Sequence, residues 1–357
     1  MGKLKKQKRG LRALSLMLCM VMTCTLCLGL WSVSASAADS RYSDVKLIPG
    51  GIPFGVKFST EGVVVIGFCD LDGIQKTQNP AYLAGLRPKD IITKVNGRKI
   101  EDADDLSGEI DKSCGQEVSL TYTRSGQEKT VKLKPAYSSS EGKYKTGIWV
   151  RDTGAGIGTV TYIDPKSGEF GGLGHGICDG ETGELIPMER GVVTDVKINA
   201  VKKGISGVPG EIKGYFGTDK QGSLTSNTEC GVFGMLSKIP SDLGSAVPIA
   251  TRDKVKNGEA ELYCTLDESG RQCYKVEISS INRNAEGSKC FIVKVTDPAL
   301  IEKTGGIIQG MSGSVLLQNG KIIGAVTHVM INDPTVGYGI FIENMLSAAQ
   351  TPKQRAA

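Results

Sequence analysis

The sequence predicts a mainly β chain in which a small α+β module precedes a double β-barrel. Its 47 glycines against 6% aromatic residues call for many turns. From about Tyr144 to Leu346, short apolar runs alternate with clusters of Gly, Pro, Asp and Asn, and helical periodicity is almost absent. Gly158–Ile163, Gly191–Ile198, Gly231–Met235, Ala260–Thr265, Tyr274–Ile281 and Cys290–Val295 are such runs, and many short strands at this spacing make a sandwich or barrels. Before them, Leu47–Lys134 mixes strands with two helical stripes. A chain of 357 residues, 39% apolar and 23% charged, is long enough for two globular domains.

Residues 1–37 read as a signal peptide or signal anchor. Lys3, Lys5, Lys6, Lys8, Arg9 and Arg12 form a basic start, an apolar stretch runs from Leu14 to Val33, and Ala35-Ser36-Ala37 is a cleavage signal. The apolar stretch is long for a signal peptide and just long enough to span a bilayer, so export is expected and membrane anchoring stays open. These six basic residues precede the first acid, Asp39, and without them the net charge of +5 becomes −1. The basic balance therefore belongs to targeting and implies no nucleic-acid partner.

After a polar linker at 38–46, residues 47–137 form the α+β module. Gly51–Phe58 is a glycine-punctuated loop entering a strand, and Gly62–Phe68 is a second strand. Asn79-Pro80-Ala81-Tyr82-Leu83-Ala84-Gly85-Leu86 predicts a short helix with Pro at its start and Gly at its end. Ile91–Val95 with Asn96-Gly97 predicts a strand and tight turn. Leu106 and Ile110 give the buried stripe of a second helix, and Val118, Leu120, Tyr122, Val131 and Leu133 alternate as an antiparallel pair. Ala84-Gly85-Leu86-Arg87 followed by Asp90-Ile91-Ile92 and Val95-Asn96-Gly97 resembles a PDZ domain. That resemblance implies a loop whose amides receive a peptide carboxylate while the peptide adds as a strand. The loop would be Ile52-Pro53-Phe54-Gly55, and because Pro53 has no N–H, the donors would be Phe54, Gly55 and Val56. The ligand would be a peptide C-terminus or a segment of this chain.

In residues 144–349 the decisive stretch is Gly305–Ser314. Two apolar runs follow it, Val315–Leu317 and Ile322–Val326, meeting at Asn319-Gly320, a strong signal for a type I′ hairpin. Ser312 therefore sits at the mouth of a hairpin, between Gly310 and Gly313, where amides of Gly310 and Ser312 can form an oxyanion hole. A serine nucleophile needs an imidazole, and the chain has two histidines. His175 lies in a glycine-rich bend, Gly171-Gly172-Leu173-Gly174-His175-Gly176, with no packing role evident. His328 lies in an apolar strand and reads as a packed core residue. His175 is the better base, and 137 residues between it and Ser312 suit one catalytic residue from each barrel. The short helix expected at Gly339–Ala349 closes the domain, and 350–357 is a polar tail.

The Gly-x-Ser-Gly core with its upstream histidine resembles the trypsin-like superfamily, so the fold expected is a small α+β PDZ domain followed by a trypsin-like double β-barrel. Gly172-Leu173-Gly174-His175, Thr296-Asp297-Pro298, Thr304-Gly305-Gly306, Gly310–Ser314 and Gly324-Ala325-Val326-Thr327-His328 together resemble the stage IV sporulation protein B peptidase family. Val315 departs from it, since that family carries proline there. The resemblance implies Asp297 as the third catalytic residue, against a helix-cap or turn role and against Asp179, Asp195 and Asp219. It also implies a serine endopeptidase that needs no metal or organic cofactor, processes itself, and cuts a membrane-bound regulatory protein between forespore and mother-cell membranes to activate a sigma factor. The alternatives are an exported quality-control protease, in which the domain order is reversed, and a catalytically inactive PDZ scaffold.

Three further features are set aside. Gly154-Ala155-Gly156-Ile157-Gly158 imitates a dinucleotide loop without its strand–helix context and reads as a turn. Gly204-Ile205-Ser206-Gly207-Val208-Pro209 repeats the serine motif only 31 residues from His175, too close to build a second barrel between them. Ten cysteines, three of them in the export segment, leave an odd scattered set with no zinc spacing. Hairpin strands at Glu261–Thr265 and Arg271–Glu277 would set Cys264 opposite Cys273, as a disulfide or as two packed small residues.

Overall fold

The structure is a computed structural model and describes residues 42, 44–75, 78–180 and 183–350. The export segment and residues 351–357 lie outside the described residues. Strand β1 (Lys46–Pro49) leads into the long β2 (Pro53–Phe68). Helix α1 (Pro80–Leu83), β3 (Ile91–Val95), β4 (Arg98–Lys99), α2 (Ala103–Asp111) and the hairpin β5 (Val118–Arg124) and β6 (Gln127–Leu133) follow. A small hairpin, β7 (Ala136–Ser138) and β8 (Lys143–Lys145), precedes β9 (Ile148–Ile163), β10 (Glu169–Gly172), β11 (Arg190–Lys202), β12 (Glu211–Thr228) and β13 (Gly231–Leu236). The last part holds β14 (Val247–Pro248), β15 (Gly258–Thr265), β16 (Arg271–Ser279), β17 (Phe291–Val295), α3 (Pro298–Thr304), β18 (Val315–Gln318), β19 (Lys321–Met330), β20 (Asp333–Phe341) and α4 (Ile342–Gln350).

Two closed barrels result. In the first, β2, β9, β10, β13, β12 and β11 pair antiparallel in that order, and β11 returns to β2. Phe54, Val56, Phe58, Val160, Phe170, Leu173 and Val193 fill it. The second barrel runs β15-β16-β17-β20-β19-β18, and β18 closes it against β15. Closure leaves neither barrel with a free sheet edge.

The expected boundary between module and barrels does not exist as a break in the chain, because β2 and β9 serve both. Residues Pro53–Ser59 of β2 pair with Thr159–Thr153 of β9 in the barrel. After a register shift, Val64–Phe68 pair with Arg151–Ile148, and Val63 and Val64 pair with β3. The side chains follow the same division. Val63 and Val65 join Leu86, Ile92, Leu106, Ile110 and Leu120 in a separate core, with Ile148 and Val150 against it.

This overturns the assignment of Phe54, Gly55 and Val56 to a peptide loop. Gly55 is in register with Ile157 on one side and Thr194 on the other, so both edges of β2 are already paired there. Phe54 and Val56 are buried in the barrel, each side chain contributing about 1.5–3 kcal/mol that leaving the core would forfeit. Gly154–Gly158 is likewise strand and not turn. A methyl on Gly154 would lie 2.3 Å from the Phe58 ring, so glycine lets that ring cross the strand.

In the second barrel the hairpin at Asn319-Gly320 forms as expected, with φ of 52° and 71°. Cys264 and Cys273 do not face each other. The register pairs Cys264 with Gln272 and Tyr263 with Cys273, so they point to opposite faces, Cys264 into the barrel and Cys273 to solvent.

Candidate active site

His175 is delivered by a sharp exit from β10. Leu173 and Gly174 adopt φ of 65° and 68° in succession, and the Gly174 amide donates to Gly172 O at 2.8 Å. A left-handed leucine is strained by about 1–2 kcal/mol. Its side chain is nonetheless packed in the first barrel, 6% exposed, which holds the bend. The His175 Nδ1 lies 2.8 Å from Gly176 O. A carbonyl only accepts, so Nδ1 carries the proton and Nε2 keeps its lone pair. Burial pushes the imidazole below its usual pKa of 6.5, partly offset by that carbonyl.

Ser312 comes from the other barrel. Its loop is tied to β9 by three hydrogen bonds: Thr159 N donates to Ser312 O at 3.0 Å, Thr159 Oγ1 to Gly310 O at 2.8 Å, and Thr161 Oγ1 to Gly313 O at 2.8 Å. The two loops touch directly. A methyl on Gly313 would fall 2.0 Å from Thr159 O and 2.5 Å from Leu173 N, and one on Gly174 would fall 2.8 Å from Thr327 Cγ2. Only glycine permits both approaches, so the barrels bring the His175 bend and the Ser312 loop together. Thr159 and Thr161 were not singled out in the sequence. Their only signal is two threonines two positions apart in a predicted strand, hence on one face.

Around the serine, the amides of Met311, Gly313 and Ser314 donate to Ile308, Val326 and Met311 carbonyls. Those of Gly310 and Ser312, the expected oxyanion donors, have no partner among the described residues. Gly310 has φ of 96°, a conformation glycine supplies without strain. The Ser312 hydroxyl donates to Thr327 O at 2.8 Å.

Asp297 is not brought to this site. It is the N-cap of α3, where its carboxylate accepts from Ala299 N at 3.0 Å and Lys275 N at 3.1 Å. It lies past the C-terminal end of β17, whereas the ladder carrying His328 meets β17 near its start, through Tyr338 and Ile292. Its competitors fare no better: Asp179 is ion-paired with Arg151, and no carboxylate is hydrogen-bonded to His175 among the described residues. Asp297→Ala should therefore lower stability by about 1 kcal/mol through loss of the cap while leaving kcat within a few-fold. Denaturant melts and steady-state kinetics on the same preparation check both halves.

His328 is also placed differently from the core position its apolar strand suggested. It is half-buried on β19, and its ring faces that of His175 with centroids 4.9 Å apart and planes tilted by 38°. Ser206, the decoy, donates its hydroxyl to Asn332 O in an exposed turn between Ile205 and Val208. In the α+β module, α2 and the start of β9 enclose a cleft lined by Leu106, Ile110, Tyr144, Thr146, Ile148 and Val150.

Two six-stranded barrels, one carrying the serine and the other the histidine, define a double β-barrel of the trypsin-like fold with a PDZ module built onto its first barrel. The chain belongs to the SpoIVB peptidase S55 family, which matches residues 142–346, while residues 50–134 match the PDZ domain. A probable CtpA-like serine protease of Staphylococcus aureus is 45% identical over 58 residues, which is 16% of this chain and 12% of that protein. A putative zinc metalloprotease, LL2128, of Lactococcus lactis is 41% identical over 69 residues, 19% of this chain and 16% of that protein. The chain thus spans under a fifth of the length of these curated relatives. Among solved structures, the active form of the Rv3671c protease of M. tuberculosis is 13% identical with a TM-score of 0.32, covering 56% of this chain and 76% of its own. The PDZ domain of an SdrC-like protein of Listeria monocytogenes is 20% identical with a TM-score of 0.22, covering 26% and 90%.

Proposed function

We propose that this chain is an exported serine endopeptidase that cuts a membrane-bound regulatory protein in sporulation signalling, and that it processes itself. The observation carrying the catalytic part is the meeting of the His175 bend and the Ser312 loop across the two barrels, beside two unpartnered amides. Ser312 turns from Thr327 O to His175 Nε2, gives up its proton there, and attacks the scissile carbonyl. The amides of Gly310 and Ser312 receive the negative charge on the carbonyl oxygen. His175 then protonates the leaving amine, and water releases the acyl group by the reverse sequence. Gly176 O keeps the productive tautomer, the task a carboxylate performs in a Ser-His-Asp site.

The cleft between α2 and the start of β9 replaces the Ile52–Val56 loop as the place where the PDZ module receives peptide. Its apolar lining suits side chains of an extended ligand added beside a strand. The protease works on the outer side of the cytoplasmic membrane, released or held by its N-terminal segment.

A fluorophosphonate probe tests the catalytic reading. Wild type and Ser206→Ala should label and Ser312→Ala should not; labelling that survives in Ser312→Ala removes the assignment. For the pathway, membrane fractions of sporulating cells should show a regulator fragment that Ser312→Ala lacks. A fragment pattern identical in both strains would sink the sporulation role while leaving the peptidase intact.

A further inference from the structure

We propose that His328 is the positioning residue of the catalytic base: an imidazole that covers the His175 ring, holds its orientation, and steadies it while it carries the serine proton. This rests on the reading of Ser312 and His175 as nucleophile and base. His175 has its tautomer set by Gly176 O, yet one hydrogen bond leaves the ring free to rock about its Nδ1–H axis. Among the described residues no carboxylate pins it. The group that meets the ring is His328, 4.9 Å away and inclined at 38°.

His328 is placed by the same backbone that holds the serine. Thr327, its neighbour, accepts the Ser312 hydroxyl on its carbonyl and is fixed by its own side chain, which donates to Ser288 O at 2.8 Å. Nucleophile and covering ring are therefore both held by one stretch of β19, and the base, coming from the other barrel, meets that stretch through the covering ring. A ring whose only task was to fill space would carry no polar atoms. Instead His328 buries Nδ1 without a hydrogen-bond partner among the described residues, a cost that an apolar ring would not carry.

The groups facing His328 decide its charge. His175 lies opposite, Tyr338 is in register with it on β20, and Lys289 sits over the Tyr338 ring at 5.2 Å. Burial first, then His175 and Lys289, push its pKa down to about 4. It stays neutral wherever His175 must cycle through the imidazolium, so it offers a π face and no competing positive charge.

The test is turnover per titrated active site, with a full pH profile, for His328→Ala, His328→Gln and His328→Phe. Ala and Gln should lose about 100-fold or more in kcat with KM little changed. Water then reaches His175, so its pKa rises and the acid limb of the profile moves up by about half a pH unit or more. Phe keeps an aromatic face and should stay within about ten-fold of wild type with an unmoved acid limb. Gln fills nearly the same volume as His and decides the matter if Ala fails to fold. Wild-type kcat and acid limb in Ala or Gln would overturn the proposal, as would a rise confined to KM, which would make His328 a substrate contact. Failure of the underlying reading looks different: His175→Ala would keep its labelling.

Discussion

Replacing His175 with alanine is expected to cut kcat by about 10⁴- to 10⁶-fold, nearly as far as Ser312→Ala, with the double variant no worse than the worse single one. Serine is not appreciably ionised at neutral pH, so without a base at Nε2 the hydroxyl stays donated to Thr327 O and attack is suppressed. The wild-type pH profile carries the same information. Burial lowers the His175 pKa below 6.5, and the base must be neutral to act. Activity should thus persist below pH 6.5 and disappear as pH falls through that lowered pKa. An acid limb above pH 6.5, or a double variant far slower than either single one, would mean that serine and histidine do not act as a unit. Stopped assays on active-site-titrated enzyme supply both curves.

Gly313→Ala should abolish turnover and also destabilise the fold by about 3 kcal/mol or more. At φ of 93° an alanine is strained, and its methyl would be 2.0 Å from Thr159 O, a main-chain atom that cannot give way. Thr159 is in β9, and its carbonyl accepts from Leu173 N at 3.1 Å, so the push reaches the His175 bend as well as the serine. Gly320→Ala is the control. It also has positive φ, 71°, but nothing lies within 4 Å of the added methyl. Its loss should stay near the roughly 1–2 kcal/mol of a left-handed alanine, with kcat unchanged. Equal effects of the two substitutions in urea melts and kinetics would show that the contact between the barrels is soft.

Local signals carried much of this protein. The helix at Asn79–Leu86 appears as α1 with Asn79 as its cap, because Asn followed by Pro satisfies the first turn. Leu106 and Ile110 are buried on α2 as their spacing requires. The Asn319-Gly320 hairpin, the strand pair around Asp267–Gly270 and the glycines beside Ser312 are all where residue chemistry puts them. Other elements were hidden. Strand β20 has no clear signal over Asp333–Tyr338, and its last three residues fall inside the expected terminal helix; β12 has none either, since its many polar and glycine residues give little alternation.

Sequence alone determined the turns at Asn96-Gly97, Asp267–Gly270 and Asn319-Gly320, the strand-rich composition, the glycine-flanked serine and histidine, and the tandem of a PDZ-like stretch with a barrel-like one, because these depend on neighbours a few residues apart. Tertiary structure alone decided that β2 and β9 are each shared by module and barrel. An alternating strand presents a face wherever a core exists, and Phe54–Phe58 met the barrel core while Val63–Val65 met the module. It also decided that Asp297 caps a helix while His328 faces His175. Both outcomes depend on which residues closure of the second barrel sets at the same level of the ladder, and that level is fixed by strand register across distant segments.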